Sequence, residues 1–127
     1  MINALFQQTN YAASKKFLDL TAARQEAIQA NLANIETPNY KRVDVAPRFE
    51  EQLRSAISSG DPTSLAGVRP QVIQDATAVS ARRDGNTVQL ESELLHLGQN
   101  SMEHALNTQL VTRRLSRLRL AITGRSA

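Results

Sequence analysis

The sequence predicts an all-α fold, with long N- and C-terminal helices packed antiparallel as a coiled-coil-like pair around a loop-rich middle segment. Three observations carry this. From about residue 10 to 35 there is no proline or glycine, and apolar residues recur at three-and-four spacing. From about residue 87 to 122 a heptad seam runs over more than four repeats. Between them the chain turns to proline-, glycine- and serine-containing segments. The expected organisation is an N-terminal helix in residues 1–36, a middle in 37–86, and a C-terminal heptad helix in 87–127.

In the first segment Phe17, Leu20, Ala27 and Ile28, then Leu32 and Ile35, mark one stripe. Leu18, Ala22 and Ala30 fall off it, so this helix is expected to be covered on more than one side. Pro38 disfavours helix at Thr37 and removes a backbone donor, which ends the helix. Thr37 to about Pro47 holds two prolines and reads as a loop. RFEEQLRSAIS, residues 48–58, has the spacing of a short amphipathic helix on Phe49, Leu53 and Ile57. SSGDPTSLAGVRP then reads as flexible linker, and Val72 to Arg83 alternates weakly, as a short strand would. A stretch so rich in loop argues against a compact globule and for a segment that is disordered until bound or draped on a partner.

The heptad seam of the last segment reads Leu90, Leu94, Leu97, Ser101, His104, Thr108, Val111, Leu115, Leu118, Ile122. Asn86 or Thr87 is placed to cap its start, Glu91 and Glu93 suit the N-terminal dipole, and Gly124 is a natural stop. Such a helix is roughly 54 Å long, more than a small globular domain houses.

Composition narrows the function. Of 127 residues 41% are hydrophobic, much of it Ala and Leu, while aromatics make up 4% and Trp is absent. Compact cores use more aromatic bulk; Ala and Leu suit helices lying side by side. The absence of Cys excludes disulfides, thiolate zinc sites and Cys nucleophiles. No stretch has the length of a membrane span, and MINALFQQTNYAASKK lacks the basic start and apolar run of a secretory signal. The net charge of +3 is concentrated in Arg113, Arg114, Arg117, Arg119 and Arg125, with no acid after Glu103. Nucleic acid is one reading of that cluster. Arginines that complement a helix dipole and flank an apolar seam explain it better, since no nucleic-acid motif accompanies them.

Catalytic constellations are lacking. Glu93 and His96 have E-x-x-H spacing, but a carboxylate-bridged metal bundle needs two such pairs and two further carboxylates. Glu93, His96 and His104 are therefore expected to bind no metal. His104, on the seam, suits a polar core position that fixes register. There is no G-x-S-x-G elbow, S-x-x-K or phosphate loop, so neither an enzyme nor a cofactor is expected. One aromatic in Tyr40-Lys41-Arg42 is a thin stacking platform for nucleic acid. The sequence points to assembly.

The run Ala30-Asn31-Leu32-Ala33-Asn34-Ile35-Glu36-Thr37-Pro38-Asn39-Tyr40-Lys41 resembles the N-terminal signature of the bacterial flagellar rod, hook and hook-associated proteins, a helix ending in N-x-A-N-x-x-T-P-G-Y. Asn31, Ala33, Asn34, Thr37, Pro38 and Tyr40 match; Asn39 stands where the family has Gly, and Asn is the next most tolerant of a left-handed backbone. Asp84-Gly85-Asn86-Thr87-Val88 and Gln109 to Leu115 agree as well. The resemblance implies a structural subunit of the basal-body rod, the drive shaft that transmits motor torque to the hook, with both terminal helices in its tubular core. It implies export through the flagellar type III apparatus without a cleaved signal and assembly in the periplasm. The implied partners are copies of the chain, other rod proteins and a rod-base adaptor, with no nucleic acid and no direct membrane span. Asn31, Ala33, Asn34, Thr37, Pro38, Asn39 and Tyr40 would then form an assembly motif that turns the chain onto the tube wall, with Tyr40, Lys41 and Arg42 reaching sideways. Leu90, Leu94, Leu97, Val111, Leu115, Leu118 and Ile122 would form the assembly seam. The alternatives are a sister rod protein of the same family, or a helical adaptor or binding module of a secretion system.

Overall fold

The computed structural model describes residues 2–80 and 82–124, with side chains from residue 10 onward. Its elements are α1 (Ile2–Ala33), β1 (Val43–Val45), α2 (Arg48–Ser59), α3 (Pro62–Gly67), β2 (Val72–Gln74) and α4 (Leu90–Thr123). The chain is mostly helical, and its two long helices, of 32 and 34 residues, contact each other. The all-α expectation needs one amendment. β1 and β2 pair antiparallel, with Val43 opposite Gln74, Asp44 opposite Ile73 and Val45 opposite Val72. β2 occupies only the first three residues of the weakly alternating stretch. Among the described residues no helix is long and apolar enough to cross a membrane.

The apolar core lies against α1 in the middle of the chain. Leu20 of α1 joins Val45, Phe49, Leu53, Ala56, Leu65 and Val68, and Ile57 packs against this cluster partly buried. In α2 Phe49, Leu53 and Ala56 share one face at helical spacing, Glu50 and Glu51 sit in the first turn, and Gly60 ends the helix at φ 66°. The segment read as flexible linker instead contains α3. Asp61 caps it by accepting from the Thr63 and Ser64 amides at 2.9 and 3.3 Å, and Pro62 fills the first turn, where a missing N–H costs nothing. Leu65 and Val68 thereby reach the core. The middle segment is thus draped on this chain's own first helix.

Contact between α1 and α4 is more polar than the heptad pattern suggests. Thr21 and Asn31 of α1 and Glu93 and Asn100 of α4 are buried. Asn100 Nδ2 donates to the Thr21 carbonyl at 2.9 Å and to Gln25 Oε1 at 3.2 Å, and Arg24 bridges Glu50 at 2.7 Å and Glu103 at 3.1 Å. The covered strip of α4 runs through Glu93, Leu97, Asn100, Asn107, Val111 and Arg114. Of the expected seam, Leu97 and Val111 are half-buried, whereas Leu90, Leu94, Leu115, Leu118 and Ile122 are exposed. Each residue advances 100° around a helix, so the leucine line and the covered line diverge where their spacings differ. His104 is also corrected: it is exposed, though its Nδ1 lies 2.9 Å from Thr21 Oγ1 across the helix pair. α4 stops at Gly124, whose φ of 64° lets its amide donate to the Leu120 carbonyl at 2.8 Å.

Candidate assembly junction

The exit of α1 is held by residues that lie about fifty positions further along the chain. Asn86 is buried, and its Nδ2 lies 3.0 Å from the Asn34 and Ile35 carbonyls and 2.9 Å from that of Thr37. These are the acceptors a helix C-terminus leaves open. The Asn86 Oδ1 accepts from the Val88 amide at 2.8 Å. Arg82 adds a 2.7 Å bond to the Ile35 carbonyl. Asn86 and Thr87 therefore do not cap α4, which begins at Leu90 after Gln89 with no side-chain cap. The cap residues serve the other helix.

Beyond Pro38 the chain turns at Asn39, whose φ of 60° is the left-handed conformation that Asn tolerates best after Gly. Its amide donates to the Asp84 carbonyl at 2.8 Å. Gly85, at φ 76°, lies so close that an added Cβ would fall 2.5 Å from Asn39 Oδ1. The Thr87 amide then donates to the Tyr40 carbonyl at 3.0 Å, and Thr87 Oγ1 accepts from the Arg42 amide at 2.8 Å. The Asn31–Tyr40 motif and Asp84-Gly85-Asn86-Thr87-Val88 are two halves of one site.

Asn31, fully buried, works as a surrogate strand neighbour. Its Nδ2 donates to the Val43 carbonyl and its Oδ1 accepts from the Val43 amide, both at 2.9 Å. Nδ2 also reaches Glu93 Oε2 at 3.2 Å, and the half-buried Tyr40 hydroxyl approaches Asn31 Oδ1 at 3.5 Å. Asn34 folds back, its Nδ2 donating to the Ala30 carbonyl at 2.9 Å while its Oδ1 accepts from Thr37 Oγ1 at 3.2 Å. A leucine at either position would favour the helix and lose these bonds.

Arg42 is the hub. It was expected to reach sideways, yet it is buried and points back at α4. Its Nε donates to Glu93 Oε1, and its Nη1 to Asp44 at 2.9 Å and Asp75 at 2.7 Å. Its Nη2 lies 3.4 Å from His96 Nδ1. Burial alone would lower the guanidinium's pKa; the hydrogen bonds and charges of Glu93 and Asp44 outweigh it and raise it. Asp75 is held below the usual carboxylate range, first by the Thr77 hydroxyl, against the opposing effect of burial, then by the Thr77 amide and Arg42. Lys41 is exposed and anchors to the Gly85 carbonyl at 3.0 Å, and Tyr40 also turns inward. Arg42, Glu93 and Asn31 thus tie β1, α4 and α1 at one buried point.

The motif divides by exposure. Asn31, Asn34 and Tyr40 face the chain, whereas Ala33, Thr37, Pro38 and Asn39 are exposed. Of the E-x-x-H pair, Glu93 accepts from Arg42 and Asn31 with its two oxygens, and His96 Nδ1 lies 3.4 Å from Arg42 Nη2. Arg42, Asn86, Asp75 and Arg82 were missed as site residues. One clue was legible: Glu93 lies on the same helix face as Leu97 and Asn100, where a carboxylate must be partnered.

No protein-family model matches the chain. Individual relatives do. The chain is 33% identical over 113 residues to the flagellar basal body rod protein FlgB of Borrelia hermsii, covering 75% of this chain and 82% of the relative. To FlgB of Cereibacter sphaeroides it is 30% identical over 115 residues, 84% of this chain and 88% of the relative. To FlgB of Escherichia coli it is 30% identical over 106 residues, 71% and 75% of the two chains. These matches do not favour the sister rod protein FlgC. The chain belongs to the FlgB family of flagellar basal body rod proteins and is a structural subunit of that rod.

Proposed function

We propose that this subunit polymerises in the periplasm through α4 while the junction at residues 31–40 fixes the angle at which the chain leaves α1. The role is structural, without catalysis. The observation that carries the reading is the row of seam side chains without a cover: Leu94, Leu115, Leu118 and Ile122 are 52%, 48%, 55% and 84% exposed. Burying a leucine from water stabilises by about 2 kcal/mol, so such a row favours association. α1 and α4 run antiparallel and coiled-coil-like in this reading, supported by the pairing of Thr21 with His104 and of Asn31 with Glu93, where one number rises as the other falls. The exposed part of the motif, Ala33 with Thr37, Pro38 and Asn39, then meets a neighbouring subunit in the tube wall. Partners in this reading are further copies, the rod proteins FlgC, FlgF and FlgG, the rod-base adaptor FliE, and the type III apparatus that exports the chain without a cleaved signal. The test is Leu115→Asp with Leu118→Asp. Both positions are already exposed, so monomer helicity by circular dichroism should stay near wild type while rods and swimming are lost. Normal swimming would refute the seam.

A further inference from the structure

Two outward stripes of the chain complement each other, and the seam uses neither. On α4 the steps Leu106, Leu110, Arg113, Arg117, Leu120 alternate by four and three, so they share one face beside the strip that covers α1, and Leu106 at its start also borders the groove lined by Phe17 and Leu20 of α1 and Leu53 of α2. Leu106, Leu110 and Leu120 are 58%, 40% and 45% exposed. Arg113 and Arg117 are exposed and have no ion pair among the described residues. On α1 the outward stripe is Asp19, Ala22, Glu26, Gln29 and Ala33, again at four-and-three spacing. Glu26 has no ion pair among the described residues, and Asp19 has only Lys16, at 3.8 Å. Lys15, at the end of this stripe, has its ammonium over the Tyr11 ring.

The geometry points to a second copy of this chain as the occupant: the leucine-and-arginine stripe of α4 in one subunit docks on the alanine-and-carboxylate stripe of α1 in the next. This rests on the polymerising reading above and specifies one of its contacts. Charge and shape both favour it. Ala22 and Ala33 leave hollows that leucines of a neighbouring helix fill, at the 8–10 Å axial separation usual for packed helices. Glu26 and Asp19 lie one heptad apart, within reach of two long guanidinium arms. Nucleic acid would use the arginines but has no need of the interleaved leucines. Because the two stripes differ, the contact is heterologous, and repetition propagates a helical array in place of closing a dimer.

The chain has no cysteine of its own, so crosslinking is clean. Ala22→Cys with Leu110→Cys, expressed in motile cells, should give oxidised dimers and higher species in purified basal bodies, and neither single variant should crosslink. A second arm does not depend on the cysteines. Asp19→Lys with Glu26→Lys, and separately Arg113→Glu with Arg117→Glu, should each lower rod yield about tenfold by placing like charges together. Co-expression of the two variants should restore it, because each altered stripe then meets its opposite in the next subunit. Absence of crosslinks in cells that build rods containing the chain would overturn this contact and leave the rod reading intact. Dimers from a single-cysteine variant would mean an isologous contact and would equally overturn it. An arginine variant that co-expression fails to restore would assign the stripe to another occupant, nucleic acid, an anionic membrane or a different protein. Rods that form without the chain would sink the rod reading itself.

Discussion

Replacing Glu93 by glutamine preserves volume and removes one acceptor. Glu93 is fully buried; its Oε1 accepts from Arg42 Nε and its Oε2 from Asn31 Nδ2 at 3.2 Å. A glutamine offers one oxygen and one NH2, so in either rotamer a donor faces a donor. Hydrogen bonds to a charged group contribute about 1.5–3 kcal/mol, and a buried group left unpaired costs about 1–3 kcal/mol. Arg42 retains Asp44 and Asp75, which limits the loss, so Glu93→Gln should destabilise the monomer by about 3 kcal/mol. For a chain of this length that lowers Tm by about 12 °C. Thermal unfolding followed by far-UV circular dichroism measures it, with Glu91→Gln, at an exposed position of the same helix turn, as the control. A fall below about 3 °C, under 1 kcal/mol, would refute the view that Arg42, Glu93 and Asn31 hold the helices together.

Two further outcomes follow from the junction. Asn39→Gly should be tolerated, whereas Asn39→Val, a β-branched residue forced to φ 60°, should cost about 1–3 kcal/mol; Gly85→Ala should cost a similar amount because its Cβ meets Asn39. Urea unfolding checks all three. Asp75 has a depressed folded-state pKa, so its contribution to stability is present above its ordinary unfolded value of about 3.9 and is lost as pH falls through the lower folded value. The gap in stability between wild type and Asp75→Asn should therefore narrow as pH drops below about 4.

Much of this was legible in the sequence, and the failures have physical reasons. Spacing along Leu20, Ala27 and Ile28, and along the α4 leucines, exposes the two long helices because periodicity is a local property. The turn at Asn39 was legible because few residues adopt its backbone. Asp61-Pro62 was a legible helix start that the surrounding Ser, Gly and Pro concealed, and with it went the contribution of Leu65 and Val68 to the core. Arg42 was misread because its partner, Glu93, is 51 positions away, and a cation beside Lys41 and Tyr40 looks like surface until that partner is placed. Asn86 was misread for the same reason: an Asn before a helix is usually that helix's cap, and only the fold brings the open carbonyls of α1 to it. The leucine seam identified a helix with apolar residues to cover and left open which face the chain itself would cover.

The most direct test of the central claim is a density map of basal bodies purified from cells in which this chain carries a small epitope tag, imaged with a tag-specific label. The account expects the label on the rod, with α1 and α4 in its inner tubular layer and residues 37–86 on the wall, and no rods in cells lacking the chain. Complete rods without the chain, or label confined elsewhere in the cell, would contradict it.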